Sequence, residues 1–160
     1  MGEPAKKILD FIGKKGIEMV VLCRKGEKMK IAIGTDDKKT IRKGHFGESR
    51  YYLVIEILNA QIVGKALRVN PCLESGKSKK SHGQPEEIVR LLHDCSLFMA
   101  RSMGKKSLAE ISSRKIDCIF TNIDVIDRVV SLYLDGKLEG FKYYDPDEKN
   151  FILCSQRKYT

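Results

Sequence analysis

Apolar residues along this chain fall into two rhythms, short strand-like runs closed by turn residues and longer stretches at helical spacing. Residues 4–12 place Ile8, Leu9, Phe11 and Ile12 at helical spacing, with Gly13 or Gly16 as the stop, and predict a short helix. Residues 17–23 form an apolar run that predicts a strand, closed by the charged turn at 24–28. The run at 29–34 alternates briefly and ends at Gly34 before the polar loop 35–39. Residues 50–58 and 62–69 predict two more strands, and the short Asn59-Ala60-Gln61 link between them predicts a hairpin.

The second half changes rhythm. Residues 70–83 hold serine, glycine and lysine with almost no apolar content, a loop length that in a compact domain usually signals function or disorder. Pro85 then opens a helix in which Ile88, Leu91, Leu92 and Cys95 recur at i, i+3, i+4 and i+7, with Glu86 and Glu87 at the positive end of its dipole. A buried strand at 96–100, a helix at 105–114, a strand at 116–121 and a helix at 124–134 follow with short connections. That alternation predicts right-handed crossovers on a largely parallel sheet, an α/β fold. Residues 141–144 and 150–154, separated by a turn containing Pro146, predict a terminal hairpin.

Composition narrows the class. With 160 residues, 42% hydrophobic and 32% charged, the chain suits one core. No apolar run approaches the ~20 residues of a membrane helix, and the start of the chain lacks the apolar core of a signal peptide, so a cytoplasmic location is expected. Five cysteines, Cys23, Cys72, Cys95, Cys118 and Cys154, stand at wide spacings without a CxxC pair, which argues against a disulfide framework or structural zinc. The net charge of +9 lies wholly within residues 1–83, pointing to an anionic ligand, an acidic partner or nucleic acid.

The stretch that best suits binding is Gly44-His45-Phe46-Gly47, followed by Arg50 and the paired Tyr51 and Tyr52. It puts an imidazole between glycines at the mouth of a strand, where the backbone can approach a ligand closely. No glycine-rich phosphate loop accompanies Gly76-Lys77-Ser78, and the strand KIAIG has no acid for a two-metal nuclease, Asp36 and Asp37 lying in the loop beyond it.

Taken together, MKIAIGTDD, HFGESRYYLVIEI, HGQPEEIVRLLHDCSLFMARSMG and IDCIFTNIDVIDRVVSLYLDGKL, in that order over residues 29–138, resemble the dinitrogenase iron-molybdenum cofactor biosynthesis family, the NifX/NafY-type domains. The resemblance implies a ribonuclease-H-like mixed five-stranded sheet, order 3-2-1-4-5, with helices packed on it and the first three strands antiparallel neighbours. Residues 1–28 and 139–160 then become an N-terminal helix-strand extension and a C-terminal hairpin. It also implies non-enzymatic binding or carrying of an iron-sulfur-type or molybdenum-containing cluster, exchanged with cluster donor or acceptor proteins. His45 matches the family's loop histidine, His82 a histidine near the start of the following helix, and Met103-Gly104 the small-residue turn after the fourth strand. The chain departs from the family's glycine-rich pattern at Ala100-Arg101-Ser102 and at Thr121-Asn122, which places bulk and charge near the expected ligand face.

On this reading His45, His82 and Cys72 are the candidate metal ligands, and Arg42, Lys43 and Arg50 offset the charge of an anionic cluster. His93 reads as a helical surface residue, and Cys23, Cys95, Cys118 and Cys154 as packing residues. Two other functions compete with this one. The basic first half with Tyr51 and Tyr52 would suit nucleic acid, and the edge of the terminal hairpin would suit a protein partner or a second copy in a homo-oligomer.

Overall fold

The computed structural model describes residues 26, 28–71 and 85–154. The helix and strand read at 4–12 and 17–23, and the loop carrying Cys72 and His82, lie outside these residues. The described elements are β1 (Lys28–Thr35), a single 3-10 turn (Phe46–Glu48), β2 (Tyr51–Leu58), β3 (Gln61–Val69), α1 (Pro85–Leu91), β4 (Leu97–Ala100), α2 (Lys105–Ser113), β5 (Asp117–Phe120), α3 (Ile126–Leu134), β6 (Lys142–Asp145) and β7 (Asn150–Leu153). No helix among the described residues is long and apolar enough to cross a membrane.

All the strands join one mixed sheet in the order β3-β2-β1-β4-β5-β6-β7. β1, β2 and β3 are antiparallel neighbours, while β4 runs parallel to both β1 and β5. The five-stranded sheet of the sequence reading is therefore corrected to seven strands, although the order 3-2-1-4-5 persists inside it. The terminal hairpin is part of the sheet rather than a separate tail. Ile119 pairs with Tyr143 across β5 and β6, which buries Tyr143, Phe141 and Cys154 in the core and covers an edge that β5 would otherwise expose.

Side-chain alternation explains the layers. One sheet face carries Ile31, Ile33, Ile55, Ile57, Met99 and Ile119 under the Ile126, Val129, Val130 and Tyr133 stripe of α3. The opposite face carries Ala32, Tyr52, Val54, Phe98, Cys118 and Phe120 under Ile88 and Val89 of α1 and Leu108 and Ile111 of α2. Helices on both faces leave the central strands no solvent side, so β4 is buried at all its positions and reads as an unbroken apolar run.

Two boundaries shift for identifiable reasons. α3 begins at Ile126 rather than at Asp124, because the Asp124 carbonyl accepts the Ile41 N–H at 2.8 Å and Thr40 bridges to Val125. α1 ends at Leu91, and Cys95 sits in the following turn with its N–H bonded to Leu92 O at 2.9 Å.

The α1–β4 turn is fastened to the sheet by charge. Arg68 on β3 grips Asp94 through both guanidinium nitrogens at 2.6 and 2.8 Å, and Lys30 on β1 reaches the same carboxylate at 2.9 Å. Donation from Arg68 first, and then from Lys30, outweighs partial burial and holds the Asp94 carboxyl well below the usual carboxylate range. A carboxyl depressed in the fold stabilises fully above its unfolded pKa of about 4, and loses that contribution as pH falls toward the folded value. Asp94→Asn should lower the unfolding free energy at neutral pH by about 1–3 kcal/mol and flatten the acid side of the stability profile, as read by urea denaturation from pH 7 down to about 3.

Candidate functional site

The loop between β1 and β2 begins with a turn organised by Asp37. One carboxylate oxygen accepts the Lys39 and Thr40 N–H groups at 2.9 and 2.7 Å, and the other accepts the Thr40 hydroxyl at 2.7 Å. Those donors, Thr40 first, hold the Asp37 carboxyl far below its ordinary range. Thr35, fully buried, donates its hydroxyl to Thr40 O at 2.6 Å and closes the turn. The chain then runs back across the sheet end, Arg42 N–H bonding Gly34 O at 2.9 Å.

His45 is placed by its neighbour. Phe46 is buried, with its ring stacked on Phe98 at 4.9 Å and tilted against Tyr52 at 4.9 Å. The Phe46 carbonyl accepts the Ser49 and Tyr52 hydroxyls, both at 2.8 Å, and the Ser49 N–H at 3.2 Å. Asn70 at the end of β3 donates to Gly47 O and Ser49 O at 3.0 and 2.8 Å. Gly34 is required beneath this knot, since a Cβ there would stand 2.2 Å from Ser49 Oγ.

With Phe46 fixed, exposed His45 meets the chain that leaves β4. Phe46 N–H bonds Ser102 O at 3.0 Å, and His45 Nδ1 lies 3.1 Å from Ser102 Oγ. β1 and β4 are parallel neighbours whose chains depart in opposite directions, toward β2 and α2. Such a switch point opens a crevice at the carboxyl ends of the strands. Next to it, and joined to the His45 loop through Ser102, a cavity of about 230 Å³ opens beyond the ends of β4 and β5, lined by Arg101, Ser102, Met103, Thr121, Asn122 and Lys142 among others. Arg101 donates to Asn122 O at 3.0 Å and pairs with Asp124, while among the described residues its buried Nε has no partner.

The residues singled out from sequence separate accordingly. Lys43 and Arg50 are exposed near His45 in sequence. The charge of Arg42 is engaged instead, by Asp36 at 2.5 Å and Glu48 at 3.4 Å, with its guanidinium lying where a Gly44 side chain would be. His82 and Cys72 lie outside the described residues. Tyr52 is fully buried and Lys38 sits 5.0 Å over the Tyr51 ring, so the paired tyrosines do not form the open stacking platform the nucleic-acid reading needs.

The sequence pointed to neither Lys142 nor Phe151, and placed Arg101, Ser102 and Thr121-Asn122 only as departures from a glycine pattern. That departure was the usable signal, because those residues now line the cavity.

What this set can do chemically is limited by its donors. Among the described residues no group of three or more His, Cys, Asp or Glu side chains is arranged to hold a metal ion. Cys95, Cys118 and Cys154 are buried, and burial pushes the thiols of Cys95 and Cys154 up to about 12 and that of Cys118 higher still. The cavity instead offers hydroxyl and amide groups with cations, which suits an anion bound by charge and hydrogen bonds.

Residues 27–136 match the sequence profile of the family described as dinitrogenase iron-molybdenum cofactor. The uncharacterized protein MJ0580 of Methanocaldococcus jannaschii is 27% identical over 116 residues, spanning 71% of this chain and 92% of its own. The crystal structure of MJ0327 from the same organism superposes with a TM-score of 0.53 at 23% identity, over 69% of this chain and 92% of its own. The apo form of the orange protein from Desulfovibrio gigas gives 0.53 at 15% identity, over 68% and 89%. At these identities the structural likeness is one of fold.

The raised thiol pKa values lead to a direct check. At pH 8 in native buffer, peptide-resolved iodoacetamide labelling should leave Cys95, Cys118 and Cys154 unmodified, and labelling in urea should modify all three.

Proposed function

The chain belongs to the dinitrogenase iron-molybdenum cofactor family, and from that premise we propose that it binds and carries an anionic iron-sulfur-type or molybdenum-containing cluster without catalysing a reaction on it. The observation that carries this reading is the imidazole held against Ser102, a residue that lines the cavity beyond β4 and β5. Nδ1 of His45 is engaged by Ser102, which also lines the cavity, so Nε2 is the ring nitrogen left for a ligand.

The residues present fit such a cargo in a particular way. A resident cluster is ordinarily held by several thiolates, and the described cysteines are buried away from that role. One imidazole with Ser102, Thr121, Asn122 and the nearby cations makes a site for a charged cluster that keeps its own sulfido or oxo ligands. Among the described residues a single side-chain ligand with hydrogen bonds leaves the cluster exchangeable, as delivery between donor and acceptor proteins requires. The Nε–H of Arg101, unpartnered among the described residues, is a further donor beside the cavity, and desolvation there strengthens each interaction with an anion. Lys43 and Arg50 add long-range attraction, while Arg42 shapes the loop through Asp36 and Glu48. Cys72 and His82 remain candidate ligands of the same cargo. We read β1 to β5 with their helices as ribonuclease-H-like, serving here as a scaffold without the converging carboxylates of a nuclease.

Anaerobic reconstitution tests the reading. Wild-type protein should take up metal and sulfide and acquire visible absorption, and His45→Ala should lose most of both while keeping its circular dichroism. Equal metal content and an equal spectrum in His45→Ala would remove His45 from the site.

A further inference from the structure

The family match ends at residue 136, yet one wall of the cavity is built from the chain beyond it. Resting on the carrier reading above, we infer that the β6–β7 hairpin is the selectivity wall of the cargo cavity, with Lys142 supplying a cation to the cargo and Phe151 limiting its width. The cargo therefore enters through a compact anionic end, the size of one metal centre with its oxo or sulfido ligands.

The placement follows from pairing. Lys142 stands opposite Phe120, the last residue of β5, and so projects from the strand beside the Thr121-Asn122 turn. Its register is fixed on both sides, by Ile119 opposite Tyr143 in β5 and by Leu153 opposite Lys142 in β7. The two cations of the cavity are not equivalent. Arg101 is already paired with Asp124, whereas among the described residues no carboxylate forms an ion pair with Lys142, which is exposed. Lys142 therefore brings the charge that an incoming anion would neutralise.

Phe151 sets the width. Its ring packs edge-on against Phe120 at 5.1 Å and against Tyr144 at 5.5 Å, so its position is held by aromatic contacts although it is 45% exposed. It lines both this cavity and a wider groove of about 600 Å³ between the hairpin and α2, forming a partition between them. With the partition in place the inner cavity, at about 230 Å³, is smaller than the ~300 Å³ at which ordinary small-molecule pockets begin.

Equilibrium dialysis of tetrathiomolybdate, the mononuclear probe, against full-length protein under anaerobic conditions tests this. Lys142→Ala should weaken binding about tenfold, Lys142→Arg should stay within about threefold of wild type, and Lys149→Ala, which removes the same charge from the neighbouring groove, should leave it unchanged. Phe151→Ala should keep tetrathiomolybdate binding and improve the relative binding of a dinuclear thiomolybdate several-fold. Equal losses in Lys142→Ala and Lys149→Ala, or no loss in Lys142→Ala, would overturn the hairpin's role; so would an unchanged probe preference in Phe151→Ala. A wild-type protein that binds neither probe would overturn the carrier reading along with it, whereas binding that depends on His45 but not on Lys142 would overturn the hairpin inference alone.

Discussion

The Phe46 carbonyl is the point on which the binding face turns. Three donors, the Ser49 N–H and the Ser49 and Tyr52 hydroxyls, converge on it, and the Phe46 ring is packed between Tyr52 and Phe98. A buried polar group left without its partner costs about 1–3 kcal/mol, so the donors and the acceptor hold one another in place. Since Tyr52 lies on β2 and Phe98 on β4, the loop is tied to strands on either side of β1. The adjacent His45 inherits that rigidity without being buried, and Gly34 gives the knot the room it needs.

Two carboxyl-end loops then meet where neighbouring strands send their chains apart. The His45 side contributes an imidazole, the Ser102 side contributes hydroxyl, guanidinium and backbone groups, and the β5 turn adds Thr121 and Asn122. Among the described residues no thiolate reaches this meeting point, because Cys95, Cys118 and Cys154 are sequestered in the layers above and below the sheet. That separation favours the proposed capture by charge and hydrogen bonding. A cargo held this way keeps its own ligands and can be handed on, while a cage of protein thiolates would favour permanent residence.

Much of the scaffold was legible in the sequence because its signal is local. β4 and β5 are short apolar runs between turn residues, α3 shows its apolar stripe at helical spacing, and Asn59-Ala60 marks the β2–β3 turn. Pairing across the sheet is not local. Nothing within residues 141–154 declares that β6 will settle beside β5, so the hairpin was visible while its place as the sixth and seventh strands was not. The start of α3 was misjudged for the same reason, since the Asp124 carbonyl is claimed by Ile41 from a distant loop. For the site, His45 stood out between its glycines, whereas Ser102 stood only among the departures from a glycine-rich pattern and not as a partner of His45. Arg42 looked like a free cation until the fold brought Asp36 and Glu48 to it.

The central claim is that an anionic metal-sulfur cargo binds in the cavity lined by the chains leaving β4 and β5, beside the His45 loop. Titrating tetrathiomolybdate into ¹⁵N-labelled protein and following amide shifts by NMR tests it most directly. The account predicts saturable changes concentrated at residues 44–47, 101–104 and 121–123. Changes spread over the basic surface, or concentrated on another face while these amides stay still, would contradict it.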